Sequence, residues 1–118
     1  MRVAFLVMLG LAAMPASADE YLKSVSPKSS IDGYMAVCRQ DGPDAWCRCQ
    51  VRKMVQSREG DFLVDAIATG RRMDNIQKSV GMERVRMLAE RHSLEIGEAR
   101  SILDGGMEFI REVARTCA

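Results

Sequence analysis

The sequence predicts an all-α domain, a small bundle of four to five helices stapled by two disulfides, and three observations carry that prediction. Apolar residues recur at intervals of three and four along most of the chain. β-branched and aromatic residues nowhere alternate with polar ones over the length of a strand. Four cysteines, Cys38, Cys47, Cys49 and Cys117, follow an N-terminal segment with the layout of an export leader. An even cysteine count in a short exported chain reads as a covalent framework, because a small core alone leaves folding marginal.

The leader is legible part by part: a cationic start at Arg2, an apolar run from Val3 to Ala13, Met14-Pro15, then Ala16-Ser17-Ala18. Residues 1–18 are therefore expected to be a signal peptide cleaved after Ala18. The apolar run is shorter than the ~20 residues that span a bilayer, so no stable membrane insertion is expected after cleavage. The chain carries 17 basic and 16 acidic residues. Because Arg2 leaves with the leader, the mature chain is expected to be neutral, with no field to steer nucleic acid or anionic lipid toward it. Arg71-Arg72 and Arg84, Arg86 read as solvated helix faces.

Residues 19–30 are polar, with Pro27 among serines, and read as a flexible lead-in to a helical domain over 31–118. Ser29 or Ser30 can cap a first helix from Ile31, along which Ile31, Tyr34, Met35 and Cys38 share a face. The run Asp41-Gly42-Pro43-Asp44 breaks the chain, and so short a turn predicts an antiparallel hairpin. The second helix, Pro43 to Arg58, sets Cys47, Val51, Met54 and Val55 on one side. A third runs from Asp61 to Thr69, ended by Gly70, and a fourth from Asp74 to His92, with a break expected at Gly81. The last segment shows the clearest stripe: Ile96, Ala99, Ile102, Leu103, Met107, Ile110, Val113, Ala114 and Cys117. Gly105-Gly106 interrupts it, which implies a kink or close helix packing.

This layout restricts the disulfides. Cys49 falls about 200° round the helix from Cys47, so that pair does not readily bond to itself. Cys38 and Cys47 stand at the same level on either side of the hairpin loop, which favours Cys38 with Cys47 and Cys49 with Cys117. The core-facing position of Cys47 also suits the swapped pairing of Cys38 with Cys49 and Cys47 with Cys117.

No catalytic or cofactor motif stands out, so the expectation is a protein that is not an enzyme and holds no cofactor or resident metal. The alternative use of the thiols is a copper or other metal carrier, with Cys47 and Cys49 as soft ligands and Met35 or Met54 beside them. Against it stand a single histidine and the absence of clustered methionines. His92 reads as a cation near a helix C-terminus. With Ser93, Glu90 and Glu95 it suggests a hydrolytic set, yet neighbours on a helix diverge. Asp61, Asp65 and Glu108, Glu112 read as solvated helix-face carboxylates. Trp46, at the shoulder of the second helix, reads as a core or boundary residue and is the best candidate for a partner-binding anchor.

One cysteine on a first helix, Cys47-Arg48-Cys49 opening the second, and a terminal Cys117-Ala118 together resemble the small periplasmic helical four-cysteine proteins of proteobacteria. That resemblance implies a helical fold and no particular activity. Gly33-Tyr34 also loosely resembles an element of the disulfide-bonded immunity proteins, which implies a helical periplasmic binder of secreted toxins. The expected role is a non-enzymatic accessory module in the periplasm, acting through contact with another protein. The partner, the oligomeric state and any ligand are not specified by the sequence.

Overall fold

The computed structural model describes residues 23–70 and 76–118, with side chains over 23–69 and 81–118. The expected leader and cleavage point, the first residues of the lead-in, Arg71-Arg72 and Asp74 lie outside the described residues. Those described form helices and no strand: α1 (Lys28–Cys38), α2 (Asp44–Met54), α3 (Arg58–Gly70), α4 (Ile76–Arg91), α5 (Ile96–Asp104) and α6 (Gly106–Thr116). No helix among them is long and apolar enough to cross a membrane.

The organising element is α3, which packs against each of the other five helices. Its residues Phe62, Leu63, Val64, Ala66 and Ile67 are all fully buried. A helix buried on every side over 60–67 belongs in the middle of a bundle rather than on its surface. Met54 and Cys47 from α2, Tyr34 and Met35 from α1, Leu88 from α4, and Ala99, Leu103 and Ile110 from α5 and α6 complete the core.

Among the described residues six helices stand where four to five are expected, because the last segment divides in two at Gly105, while Gly60 shifts a boundary without adding a helix. Gly60 lies so close to the Met54 carbonyl that a Cβ there would overlap it. The segment expected as one helix to Arg58 therefore closes at Val55, and α3 starts three residues before Asp61. Gly105 ends α5 and serves as the N-cap of α6, its carbonyl accepting from Phe109 N at 3.1 Å. A Cβ on Gly106 would come within 2.9 Å of Leu63 Cδ2. Both expectations for that glycine pair, a break and close packing, are met at neighbouring residues.

The other boundaries move for backbone reasons. α1 starts at Lys28 rather than Ile31, with Pro27 at the N-cap and no side-chain cap. The Pro27 carbonyl accepts from Ser30 N at 2.9 Å and Ile31 N at 3.1 Å, so the serine hydroxyls are not needed there. α4 bends at Gly81, whose φ of 74° is a conformation that side chains disfavour. It ends with Leu94 N bonded to Ala89 O at 2.8 Å and Ser93 N to Glu90 O at 3.2 Å. That is a Schellman closure with Ser93 at φ 56° in the place usually held by glycine. α5 opens on a capping box between Glu95 and Glu98.

Two disulfides join the elements: Cys38 to Cys47 across the α1–α2 hairpin, and Cys49 to Cys117 from α2 to the end of α6. Both span 5.9 Å between Cα atoms, inside the usual 4.4–6.8 Å range. Cys47 and Cys49 diverge around α2 and so reach different neighbours. Not every residue of the C-terminal stripe is covered: Ile96 and Met107 are more than a third exposed.

Candidate functional site

A hollow of about 200 Å³ opens where α1, α2 and α6 meet over α3. The hairpin supplies Tyr34 and Cys38 from one arm and Trp46 and Gln50 from the other. Ile67 of α3 forms part of the lining, and Met107, Ile110 and Ala114 of α6 close the far side. Trp46 and Gln50 stand four residues apart, so helical spacing places both on this face of α2. Asp41 and Arg111 are the charged residues of the lining.

Trp46 is half-buried, as expected of a boundary residue. Its indole N–H donates to the Ala114 carbonyl at 3.0 Å. The Ala114 carbonyl, in the last turn of α6, also accepts from Cys117 N at 3.2 Å, so the indole adds a second donor and ties α2 to α6. An open groove lined by Gly42, Pro43, Ala45, Cys117 and Ala118 adjoins the hollow, and Asp41 and Trp46 border both.

Tyr34 and Gln50 supply the polar groups of this apolar site. Both are 2% exposed, and the Tyr34 hydroxyl donates to Gln50 Oε1 at 2.8 Å. Burial pushes the Tyr34 phenol well above its ordinary pKa, which keeps it a neutral donor. Gln50 Nε2 is buried and has no hydrogen-bond partner among the described residues. An unsatisfied buried donor costs about 1–3 kcal/mol, which an acceptor reaching Nε2 would offset. Gln50 is legible in hindsight: it lies three residues from Cys47 on the core-facing side of α2, a polar residue among buried ones.

A second polar constellation corrects the reading of Asp61, Asp65 and His92. None of the three is a surface group; they are 3%, 0% and 3% exposed. Asp65 accepts from Ser30 Oγ at 2.7 Å, from Arg91 Nε at 3.0 Å and bonds His92 Nε2 at 2.9 Å. Burial raises its pKa, but the bonds from His92 and Ser30 and the charge of Arg91 outweigh it and hold the carboxyl below its ordinary value. Asp61 accepts from Ser24 Oγ at 2.5 Å and Val25 N at 2.8 Å, while its own carbonyl accepts from Ser26 Oγ at 2.9 Å. Residues 24–26, expected in the flexible lead-in, are thereby fastened to α3. His92 Nδ1 lies 3.6 Å from Asp61 Oδ2, within ion-pair range but beyond a hydrogen bond. The imidazole also meets the Phe62 ring edge-on, with centroids 5.5 Å apart. The missed signal is the flanking sequence: Asp61 and Asp65 are set among Phe62, Leu63, Val64, Ala66 and Ile67, leaving the helix no wet side.

The remaining candidates separate. Ser93, Glu90 and Glu95 are exposed while His92 is buried, so they do not converge on the imidazole. The hydroxyls of Ser24 and Ser30 donate to carboxylates. Glu108 and Glu112 are exposed and paired with Arg111 and Arg115, as a solvated helix face predicts. All four cysteines are bonded, so Cys47 and Cys49 offer no thiolate to a soft metal in this state. Among the described residues no cluster of three or more His, Cys, Asp or Glu side chains is arranged to hold a metal ion. Gly33-Tyr34 is an interior element, with Tyr34 buried and the space beside Gly33 filled by Ala68. No family model, curated protein or solved structure matches the chain.

Proposed function

We propose that this protein is a non-enzymatic, exported binding module that works in the periplasm by seating part of another protein against the hollow beside Trp46. The observation that carries this reading is an apolar, partly open cavity bordered by a half-buried tryptophan and held by both disulfides. Tryptophan is enriched among the residues that anchor interfaces through well-packed pockets. The volume is below the ~300 Å³ at which small-molecule pockets usually begin, and matches a single large apolar side chain better than a cofactor. Two disulfides support an oxidising compartment. The only histidine–carboxylate constellation among the described residues is buried and fastened by residues 24–26, which suits a structural role.

The test is capture from periplasmic extract with the oxidised protein, run beside Trp46→Ala and Met107→Lys. Met107 is 40% exposed, so the lysine changes the mouth of the hollow without entering the core. A stoichiometric partner held by the native protein and lost by both variants is expected. Retention by both would remove the hollow from the interaction, and no partner at all would leave the module reading without support.

A further inference from the structure

The interior of the hollow specifies more than apolarity. Its lining comprises carbon-rich side chains together with a buried Gln50–Tyr34 pair in which only one end of the amide is used. Swapping the amide oxygen and nitrogen would still leave one end unpaired, because Tyr34 supplies a single hydroxyl. As the bonds stand, the vacant function is a donor, Nε2. It is shielded from water on a side chain that lines the hollow, and because the terminal amide torsion is broad and two-fold the amide can turn toward an occupant, carrying its bond to the Tyr34 hydroxyl with it. The group that satisfies it is an acceptor oxygen carried on an apolar body.

We propose, resting on the binding-module reading above, that the occupant is one large apolar side chain of an extended partner segment, whose neighbouring peptide carbonyl accepts from Gln50 Nε2. Volume sets the size: a dry cavity of about 150 Å³ holds benzene, so about 200 Å³ admits a phenylalanine or leucine side chain. Continuity sets the kind of molecule. The hollow shares Asp41 and Trp46 with the adjoining groove, so a chain entering the first has a path along the second, past Gly42-Pro43 and the Cys117-Ala118 terminus. Charge sets the rest: one acid, Asp41, and one base, Arg111, border the hollow, which matches an uncharged peptide dipole rather than an anion or cation.

Three probes divide this proposal into its parts: toluene fills the hollow, benzamide adds an acceptor, and acetyl-Ala-Phe-Ala-amide adds a chain to follow the groove. Binding to the oxidised wild-type protein is read from the side-chain amide resonance of Gln50 in ¹⁵N-labelled material. Affinity is expected to rise from toluene to benzamide to the tripeptide, with roughly fivefold from the hydrogen bond alone. The Gln50 amide should shift with benzamide and the tripeptide and stay nearly still with toluene. Gln50→Met, which keeps length and removes the donor, should erase the preference for benzamide while leaving toluene binding intact. Should that variant fail to fold, the wild-type resonance still decides. Equal affinity for toluene and benzamide, with no Gln50 response, overturns the hydrogen bond. Benzamide binding as tightly as the tripeptide overturns the extended segment in favour of a free small molecule. If no probe binds while capture remains dependent on Trp46, this inference fails and the binding-module reading survives.

Discussion

Asp65 and Ile67 stand two residues apart on α3, about 200° around its axis, and look into two differently built regions. On the Asp65 side, charged and polar groups hold one another, with Ser30, Arg91 and His92 converging on one carboxylate, and a polar hollow of about 230 Å³ opens beside Asp61, Arg91 and His92. On the Ile67 side, apolar side chains leave a hollow, one amide end is unused, and covalent bonds hold the surroundings. Both disulfides belong to this second region, since Cys38 lines the hollow and Cys117 the adjoining groove. The difference lies in what holds each region: hydrogen bonds and ion pairs fix the polar side, with His92 Nδ1 left outside hydrogen-bond distance of Asp61, whereas the apolar side draws its support from sulfur.

The largest expected effect comes from removing that support. On the chain-entropy model the Cys49–Cys117 bond, with a sequence separation of 68, contributes about 4.4 kcal/mol, and the Cys38–Cys47 bond, with a separation of 9, about 2.7 kcal/mol. Cys49→Ser with Cys117→Ser should therefore lower stability in urea more than Cys38→Ser with Cys47→Ser, and a thiol reductant should lower Tm more than either. An unchanged melting curve on reduction would remove the covalent half of the contrast.

Next comes the polar half. Asp65→Ala strands Arg91, His92 and Ser30 without their common acceptor and should cost about 3 kcal/mol or more in equilibrium unfolding. Because the folded-state pKa of Asp65 is lowered, its contribution is present above the ordinary aspartate value near 4. It is lost as pH falls through the folded-state value. Asp65→Asn should flatten that acid limb, measured as unfolding free energy against pH; an identical limb in the variant would show that another carboxylate carries it.

Tyr34 gives the opposite sign on the hollow side. Its folded-state pKa is raised, so its contribution holds below the ordinary tyrosine value near 10 and is lost as pH climbs toward the folded-state value. Tyr34→Phe should cost about 1 kcal/mol at neutral pH and remove that alkaline fall. The smallest change expected is a gain. Ser93→Gly relieves a left-handed backbone of about 1–2 kcal/mol but adds chain entropy to the unfolded state, so a net stabilisation under about 1 kcal/mol is expected by thermal melting.

Much of the architecture is legible in the sequence because helical periodicity and cysteine spacing are local signals. The hairpin turn at Asp41-Gly42-Pro43, the break at Gly81 and the divergence of Cys47 from Cys49 all follow from geometry within a few residues. What escapes is partnership across distance. Asp61 and Asp65 look like a wet helix face until Ser24, Ser30 and His92 arrive from 27 to 37 residues away. Gln50 gains its meaning only once Tyr34, 16 residues earlier, takes one end of its amide. Trp46 was readable as a boundary residue from its place beside the turn, whereas the hollow it borders depends on the final helix folding back over the hairpin.

The hydrogen bond from the Trp46 indole to Ala114 also makes this chain its own optical gauge. It is the sole tryptophan in the sequence, and the carbonyl it reaches lies three residues before the cysteine that anchors the C-terminus. Emission from that one ring therefore reports undocking of the last helix without any attached dye, and a red shift preceding the loss of helical circular dichroism would identify the C-terminal seam as the first to open.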